Sequence, residues 1–499
     1  MAAQLDFEVV VYGATPAGIM AAVSVAREGA KVAIIEPGTN VGGMLTGGLS
    51  ATDVCNKSSI GGLAREFFSR VDKHYGDSPG WRFEPHVAKE ILGAFIKEQR
   101  LPVFLSHPVV KVIKERNRIV EIVTANAARF RGKIFIDASY EGDLLALSGI
   151  SYALGREARS VYNESYAGVT PHAGPPKHNW GSAVTLSNSL PLAHLDNQDL
   201  APAGSGDARL PAYNFRLCIT NRSQNRVPFE EPTDYNPSEY ELLAKFVTSK
   251  TDLSPKDLFT SLKIPAGKAD LNNGGPFSTD MIGKNWEYAE GDVKTRQRIW
   301  NAHKRYTKGL LYFLRSDPRV PAPIRSIMNE WGLCRDEFTE SENWPAQLYV
   351  REARRLIGEY VLIQSDLKKN RRKPDSIGLA TCPIESHHVQ RVIRNGQPWN
   401  EGYLFAKVKP YQIPFRSIVP KQAECENLLV PVAVSSSHIA YSSLRMEPVY
   451  MILGHSAGVA ASLAVKNNSA VQQIDLSKLQ KKLLEQGQLL SSPAETKPS

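Results

Sequence analysis

The opening residues of the chain follow the order strand, turn, helix and strand, and this pattern constrains the fold more than any other feature. Residues 7–12 are largely apolar and β-branched, and residues 13–18 form a turn with glycine at both ends. Small and aliphatic residues follow up to Gly29, where the C-cap glycine of a helix belongs. Residues 31–37 then form a second apolar strand that ends in an acid. Such a βαβ unit builds a parallel sheet, so the sequence predicts an α/β fold.

The turn at 13–18 has the properties of a dinucleotide-binding loop. Gly13 permits a tight turn out of the first strand, and Gly18 lets the helix pack closely against it. The start of the helix presents unpaired N–H groups and the positive end of its dipole to a pyrophosphate. Glu36 lies 23 positions after Gly13, where a carboxylate accepts a hydrogen bond from an adenosine ribose. A structural turn without a ligand is the alternative, and Glu36 argues against it.

Thr15 stands where such loops usually carry their middle glycine. We expect its side chain either to turn away from the phosphates or to contact them through its hydroxyl. Pro16 follows near the start of the helix, where its missing N–H would have had no intrahelical partner.

A second glycine-rich segment, 41–48, reads Val-Gly-Gly-Met-Leu-Thr-Gly-Gly. Two glycine pairs so close together bring the backbone very near to another group. Many flavoproteins carry a double glycine just after the ribose-binding acid, where the backbone meets the pyrophosphate and ribityl chain, whereas a nicotinamide enzyme has no need of it. The segment therefore favours FAD over NAD, and a glycine-rich loop without a ligand is the alternative.

Composition limits the partners of the chain. The formal net charge is +9 and 42% of the residues are hydrophobic, which is ordinary for a globular enzyme. The basic residues form no stripe interleaved with aromatic residues, so we expect anionic small-molecule ligands and no nucleic acid. No run of about 18 apolar residues occurs, which predicts no membrane span. Nothing in the sequence indicates an oligomeric state.

The five cysteines include no Cys-x-x-Cys pair, which argues against a disulfide framework and a structural zinc site. Flavin-dependent disulfide reductases keep two cysteines near the position of Cys55, and a single cysteine argues against that activity. The N-terminus has no basic region followed by an apolar one. We therefore expect a cytoplasmic protein without a metal centre.

Periodicity predicts the other elements. We expect an irregular excursion at 151–210 and a disordered tail at 491–499. The predicted strands lie at 102–123, 133–139, 402–420 and 427–434. The predicted helices are 61–74, 84–99, 238–249, 290–315, 347–363, 448–465 and 475–486.

Longer motifs resemble the FAD-dependent oxidoreductase family, and more distantly the flavoproteins of fumarate reductase and succinate dehydrogenase. The resemblance covers nearly the whole chain. Its motifs are VVVYGATPAGIMAAV, VGGMLTGGLSATDV, IDASYEGDL, LYVREARRLIGEYVL, CPIESHHVQ, PYQIPFRSIVPK and SSSHIAYSSLRMEPVYMILGHSAGVAA.

The resemblance implies a Rossmann-type FAD-binding domain, glutathione-reductase-2-like, with an inserted α+β substrate domain. The FAD domain would comprise 1–150 and 401–470, with the substrate domain at 151–400 and a C-terminal helix and tail at 471–499. The residues expected to bind FAD are Gly13, Thr15, Pro16, Ala17, Gly18, Glu36, Pro37, Gly42, Gly43, Met44, Thr46, Gly47, Gly48, Val110, Ala138, Ser139, Glu141, Asp143, Arg445, Met446, Glu447 and Pro448. For Glu141 and Asp143, capping of the next helix is an equal alternative.

By the same resemblance, His438 and Arg445 face the flavin or the substrate, and His388 and Tyr411 are further catalytic candidates. Arg445 would bind a carboxylate, a hydroxyl or the charge of the reduced flavin. Arg351 and Arg355 share one face of the predicted helix at 347–363, where they would bind an anion or pair with nearby acids.

The predicted function is oxidation of a small polar molecule by hydride transfer to FAD, with carbohydrate-like or natural-product substrates suggested by the resemblance. Two alternatives remain: a flavin-bearing RNA-modifying or RNA-binding protein, and a reductase driven by an external electron donor.

Overall fold

The computed structural model describes residues 4–76, 81–170, 178, 180, 184, 193–196 and 198–492. Their helices are α1 Pro16–Arg27, α2 Gly43–Thr46, α3 Gly62–Tyr75, α4 Pro85–Glu98, α5 Asp143–Leu147, α6 Arg159–Tyr162, α7 Glu241–Thr248, α8 Val293–Ser316, α9 Ala322–Glu330, α10 Gln364–Lys368, α11 His438–Leu444, α12 Glu447–Asn467 and α13 Leu476–Glu485. Their strands are β1 Gln4–Asp6, β2 Val9–Tyr12, β3 Val32–Ile35, β4 Val103–Phe104, β5 Val109–Glu115, β6 Arg118–Thr124, β7 Arg129–Arg131, β8 Ile134–Asp137, β9 Tyr152–Ala153, β10 Leu217–Thr220, β11 Arg226–Pro228, β12 Phe259–Ile264, β13 Lys268–Asn273, β14 Gly332–Cys334, β15 Arg355–Leu356, β16 Ser376–Ala380, β17 Ile384–Ser386, β18 Gln390–Arg394, β19 Gln397–Glu401, β20 Leu404–Ala406, β21 Tyr411–Pro414 and β22 Leu428–Leu429.

A five-stranded parallel sheet, in the order β22-β8-β2-β3-β4, forms the centre of the predicted Rossmann-type fold. All residues of β2 and β3 are buried, as expected for strands covered on both faces. Helices α1 and α12 pack on one face, and the antiparallel strands β5 and β6 lie near the other. The α/β fold is therefore confirmed.

The chain enters this sheet twice. Its first four strands come from the N-terminal part, and β22 joins β8 only after about 290 further residues (428 against 137). Helix α12 then returns across α1. By length and composition α12 could cross a membrane, but 94% of its apolar window is buried inside the protein, as in a core helix.

A second five-stranded sheet, antiparallel and in the order β11-β14-β10-β13-β12, belongs to the middle of the chain. Helices α7 and α8 bury their apolar faces in the core beside it. The division into FAD and substrate domains remains a proposal. Of the predicted disordered tail, residues 493–499 lie outside the described part of the chain.

The predicted helix at 347–363 is wrong, because this segment is extended. The main-chain N–H of Tyr349 donates to Asn214, that of Leu356 donates to Ala433, and Arg355–Leu356 pairs with β9. Partners from distant segments take the hydrogen bonds that a helix would have made locally. Arg351 and Arg355 therefore do not share a helix face.

The prediction about cysteines also needs correction, because Cys55 and Cys382 form a disulfide across 327 positions. The spacing of the cysteines along the chain carries no sign of it, since the two meet only through the fold. The cytoplasmic location remains a prediction.

Candidate functional site

The two predicted cofactor loops meet at the carboxyl end of the parallel sheet. The N–H of Gly42 donates to the carbonyl of Ala14 at 2.7 Å, which joins the second glycine segment to the first. Gly13 has a φ of +99°, and a Cβ there would lie 2.8 Å from the backbone of Ala138. Only glycine fits such a close approach in this conformation.

Thr15 takes the first of its two predicted arrangements and turns toward the protein. Its hydroxyl donates to the carbonyl of Ala138 at 2.8 Å and accepts from the N–H of Gly18 at 3.2 Å, so it caps α1. Within the described residues, the N–H groups of Thr15 and Ala17 have no protein acceptor. These free donors at a helix start fit the pyrophosphate of a dinucleotide.

Glu36 lies beside the same loop, as predicted. Its Oε2 accepts from the N–H of Ala14 at 2.7 Å, and its Oε1 accepts from the N–H of Gly38 at 2.8 Å. Burial raises the pKa of Glu36 to about 7, against the opposing effect of those two hydrogen bonds. Each oxygen keeps a lone pair that a ribose hydroxyl could use.

The second glycine segment forms a single helical turn, α2, and is tied to the C-terminal part of the site. Gly42 and Gly43 have φ values of +98° and +49°, a left-handed conformation that favours glycine. The N–H of Met44 donates to the hydroxyl of Tyr140 at 2.9 Å, and that hydroxyl donates to Oε1 of Glu447 at 2.6 Å. Three regions far apart in sequence thus meet at Tyr140.

The remaining residues that are predicted to bind the cofactor lie in several parts of the fold. Ala138 and Ser139 follow β8, Met446 and Pro448 flank the start of α12, and Thr46 donates to the carbonyl of Val41 within the α2 turn. Pro37, Gly47 and Gly48 lie in the connecting loops. Val110 differs from these predicted cofactor residues, because it lies on β5 and is 54% exposed.

Asp143 is engaged by the protein itself. Its carboxylate pairs with Arg296 at 2.6 Å and with Arg354 at 2.9 Å, and it is the first residue of α5. Burial and the neighbouring Asp143 raise the pKa of Glu141, against the pull of Arg296. The geometry favours the helix-start alternative for Asp143, and its contact with FAD remains a prediction.

Arg445 is a buried guanidinium at the C-cap of α11, 5% exposed. Its Nη2 donates to the carbonyl of Glu385 at 2.7 Å, and its Nη1 contacts the hydroxyl of Tyr349 at 3.5 Å. No carboxylate of a described residue lies within 4 Å of it. Burial disfavours its charge, but Tyr349 and the more distant carboxylates of Glu385 and Asp53 outweigh burial and raise the pKa of Arg445. The guanidinium still has no direct ion pair, so it can accept an anion.

A second buried arginine, Arg351, approaches the ring of Tyr349. Its guanidinium lies 4.9 Å from the centre of the Tyr349 ring, and its Nη2 lies 2.9 Å from Oδ1 of Asp280. Burial lowers the pKa of Arg351, Asp280 opposes this, and the nearby charge of Arg445 adds to the lowering. Arg351 is therefore paired with Asp280, whereas Arg445 has no carboxylate within 4 Å among the described residues.

His387 shares Asp280 with Arg351. Its Nδ1 lies 2.8 Å from Oδ2 of Asp280. Burial and the charge of Arg351 lower the pKa of His387 to about 3, so the imidazole is neutral and its Nδ1–H donates to the carboxylate. Burial alone would raise the pKa of Asp280, but Arg351 and His387 outweigh it and hold it at about 2. The Nε2 of His387 makes no hydrogen bond to the described residues.

His388 and Tyr411, two of the predicted catalytic residues, lie in different surroundings. Burial and then His178 lower the pKa of His388, whose ring packs against those of His178 and Tyr403. Tyr411 is buried in β21, and its hydroxyl donates to Ser443 of α11 at 2.8 Å. Their catalytic roles remain predictions.

His438 begins α11 and is held by acids. Its Nδ1 lies 2.7 Å from Oε2 of Glu352, and its main-chain N–H donates to Glu157 at 2.9 Å. Arg355 bridges Glu352 and Glu157, so the ion-pair alternative for this arginine is confirmed. His438 therefore belongs to a second histidine–carboxylate pair.

Sequence reasoning missed Asp280, Tyr349 and Glu352 as members of the site, and of the pair His387–His388, which it considered for a substrate pocket or a structural turn, it named only His388 as catalytic. Asp280 and His387 are 107 positions apart, and Asp280 lies in an irregular stretch with no motif of its own. His387 stands next to the predicted His388, so the His-His pair was the available signal.

Two other features lie away from these loops. A cavity of about 900 Å³ opens beside β11 and α8, and it is lined by charges of both signs, such as Glu231 and Lys308. It contains none of the predicted cofactor residues, and we place the site at the converging loops.

Glu84 and Glu337 could form part of a metal site with His86, but both carboxylates lie 2.7 Å from the ammonium of Lys268.

Comparisons with solved structures found matches of low overall similarity. L-proline dehydrogenase from P. horikoshii is 15% identical with a TM-score of 0.25, and the match covers 31% of this chain and 59% of that one. The OxyS anhydrotetracycline hydroxylase from Streptomyces rimosus is 13% identical with a TM-score of 0.25, covering 31% and 36%. The chain thus spans between about a third and three fifths of these structures.

The comparison with curated proteins found no match. The model of the family described as "FAD dependent oxidoreductase" matches residues 8–483, which is nearly the whole chain. The chain therefore belongs to the FAD-dependent oxidoreductase family and is an enzyme that uses FAD.

Proposed function

We propose that this enzyme oxidises a small polar molecule that carries an anionic group, such as a hydroxy acid, an amino acid or a sugar acid. Bound FAD supplies the hydride acceptor. Thr15, Ala17 and Glu36 would hold its pyrophosphate and ribose, and the start of α12 would lie at the flavin. The protein's own contribution is then to bind the anion, to orient the reacting carbon and to accept a proton.

The observation that carries this proposal is the lack of a direct ion pair at the buried Arg445. Among the described residues, this guanidinium has one carbonyl and one tyrosine hydroxyl as its hydrogen-bond partners, and Arg351 adds a second cation at the ring of Tyr349. A substrate carboxylate would supply a direct ion pair, in addition to the more distant carboxylates of Glu385 and Asp53. We therefore assign anion binding to Arg445 and Arg351.

His387 is the proton acceptor that this arrangement favours. It is neutral, and Asp280 fixes its Nδ1–H, which leaves the lone pair of Nε2 to receive a proton. Asp280 remains ionised and stabilises the imidazolium that forms. His387 lies close enough to Arg445 for that charge to affect its pKa, so both groups can serve one small molecule.

His438 is the second candidate for the proton acceptor. The carboxylate of Glu352 holds its Nδ1 in the same way. We rank it after His387, because its other neighbours are Glu157 and Arg355. The two candidates are separated by comparing His387→Asn with His438→Asn.

The first test is a substrate screen with the FAD-loaded enzyme under anaerobic conditions. Hydroxy acids, amino acids and sugar acids are each paired with their neutral amide, and loss of the visible absorption of oxidised flavin is measured. We expect bleaching by an acid and not by its amide. If no acid reduces the flavin, but an unsaturated acid reoxidises the photoreduced enzyme, the physiological direction is reduction.

Variants then assign the roles. Arg445→Ala should raise KM for the acid about 10- to 100-fold, because a charged hydrogen bond contributes about 1.5–3 kcal/mol. His387→Asn should lower the rate of flavin reduction about 10²- to 10⁴-fold. The exposed residues Arg298 and His74 supply the matched controls Arg298→Ala and His74→Asn. Equal rates for acid and amide in the wild type would contradict the proposal.

A further inference from the structure

The Cys55–Cys382 disulfide joins two walls of the candidate site. Cys55 belongs to the loop that continues from the second glycine segment, and Cys382 precedes β17. The hydroxyl of Ser443 donates to the carbonyl of Cys382, and Arg445 donates to the carbonyl of Glu385 three residues later. One half of the disulfide is thus attached to the elements that hold Arg445.

The two halves are held very differently. The Cys382 half has hydrogen bonds to α11 and is 2% exposed. The Cys55 half lies in a loop whose residues 55–58 are exposed, and the N–H of Asn56 reaches across to Thr381 at 3.3 Å. The preceding turn is fixed, because the N–H groups of Ser50 and Ala51 donate to Asp270. Breaking the disulfide would therefore loosen residues 52–58, which would keep the Asn56 hydrogen bond to Thr381, while the turn at Ser50 and Ala51 stays in place.

Cys55 is also the more exposed half of the disulfide. It is exposed, whereas its partner is buried. Its φ of +56° lies in the left-handed region, where a residue other than glycine is strained. Exposed disulfides are the ones that exchange readily with thiols.

The loop carries a charge toward the site. Asp53 lies in the loosened segment, and its main-chain carbonyl oxygen is 3.8 Å from Sγ of Cys382. Its carboxylate is near enough to Arg445 and Arg216 to affect both guanidinium groups. The closed loop therefore keeps Asp53 at the rim of the anion-binding cluster, and the open loop would remove it.

We propose that Cys55–Cys382 is a thiol-exchange site and that its reduction opens the 52–58 loop over the Arg445 side of the site. A thiolate attacks Sγ of Cys55, so that a Cys55–thiol mixed disulfide forms and Cys382 leaves as a thiolate that takes up a proton. A second thiol then releases Cys55 as a thiol and departs as the oxidised disulfide. Two electrons pass from two thiols, or from one dithiol, to the protein.

The test uses the folded, FAD-loaded enzyme with dithiothreitol as the reductant. Mass spectrometry of alkylated protein reports whether Cys55 and Cys382 become free thiols without denaturant. Limited trypsin cleavage after Lys57, an exposed residue within the loop, reports opening. We expect reduction under native conditions and an increase in cleavage after Lys57 on the order of tenfold.

Variants separate loop opening from general loosening. Cys55→Ser and Cys382→Ser should cleave like the reduced wild type without dithiothreitol, whereas Cys218→Ser, at a buried free cysteine, should behave like the oxidised wild type. The proposal is overturned if the disulfide resists dithiothreitol until the protein unfolds, or if the reduced wild type is cleaved after Lys57 no faster than the oxidised form. Neither measurement uses a substrate, so failure here is distinct from failure of the proposed function.

Discussion

Glu447, the first residue of α12, is a buried acid at the point where the three regions predicted to bind FAD meet. Its Oε1 accepts from Tyr140, and its Oε2 is buried without a partner among the described residues. A helix start favours the charged form of an acid, but here burial outweighs that effect and raises the pKa of Glu447 to about 8. Burial therefore favours the protonated form of Glu447 at pH 7.

This neutral acid predicts a pH dependence of stability. Between about pH 4.5 and 8 the folded chain binds a proton at Glu447 that the unfolded chain has lost, so the free energy of unfolding should fall as pH rises. The contribution is at most about 1.4 kcal/mol per pH unit. Urea unfolding of the FAD-free protein across this range measures it, and Glu447→Gln should remove it.

The matched control is Glu90→Gln, because Glu90 is exposed on α4. This variant should keep the slope of the wild type. An unchanged slope in Glu447→Gln would show that Glu447 ionises near its ordinary pKa in the folded protein.

At the scale of elements, the packing of α12 against α1 supports the cofactor loop. A Cβ on Gly454 would lie 2.1 Å from the carbonyl oxygen of Ala17, and one on Gly458 would lie 2.3 Å from that of Ala21. Both contacts are with backbone, which cannot rotate away. Because Ala17 belongs to the turn that we propose binds the pyrophosphate, a shift of α12 against α1 would disturb that turn.

Gly454→Ala should therefore destabilise the protein by about 1–3 kcal/mol, the usual effect of overpacking, and weaken FAD binding. Gly93 is the matched control, since it lies inside α4 and a Cβ added there would meet nothing within 4 Å, so Gly93→Ala should be neutral or stabilising by up to about 1 kcal/mol. Thermal unfolding and FAD titration measure both variants. Equal behaviour of the two would show that α12 can shift freely along α1.

At the scale of the molecule, the site is assembled from segments at both ends of the chain. The loop at 13–18, the segment at 41–48 and the start of α12 meet only in the folded protein. A ligand that touches all three binds the folded chain and not the unfolded one. Ligand binding and global stability are therefore linked.

FAD should raise the free energy of unfolding by about 2.7 kcal/mol at a free concentration of 100 times its Kd. FMN is the control, because it lacks the adenosine that Glu36 is placed to bind. Thermal unfolding of the FAD-free protein with each ligand measures the difference. Equal stabilisation by FMN would remove Glu36 and the first loop from the cofactor site.

The sequence by itself determined the parallel α/β fold and the two glycine loops, because these depend on local properties. Runs of apolar residues and glycines in tight turns act within a few neighbouring residues, and they are read directly from residues such as Gly13 and Gly42. The family motifs are also local stretches of sequence, and they added the prediction that the cofactor is FAD.

Tertiary structure alone decided the extended course of 347–363, the Cys55–Cys382 disulfide and the pairing of His387 with Asp280. Each depends on partners that are distant in sequence, and no local pattern encodes which distant group will arrive. Charged residues of this segment that would share one face of a helix make separate contacts instead, because the main chain hydrogen-bonds to other segments. The cofactor loops are thus a property of local sequence, whereas the substrate side of the site is a property of the fold.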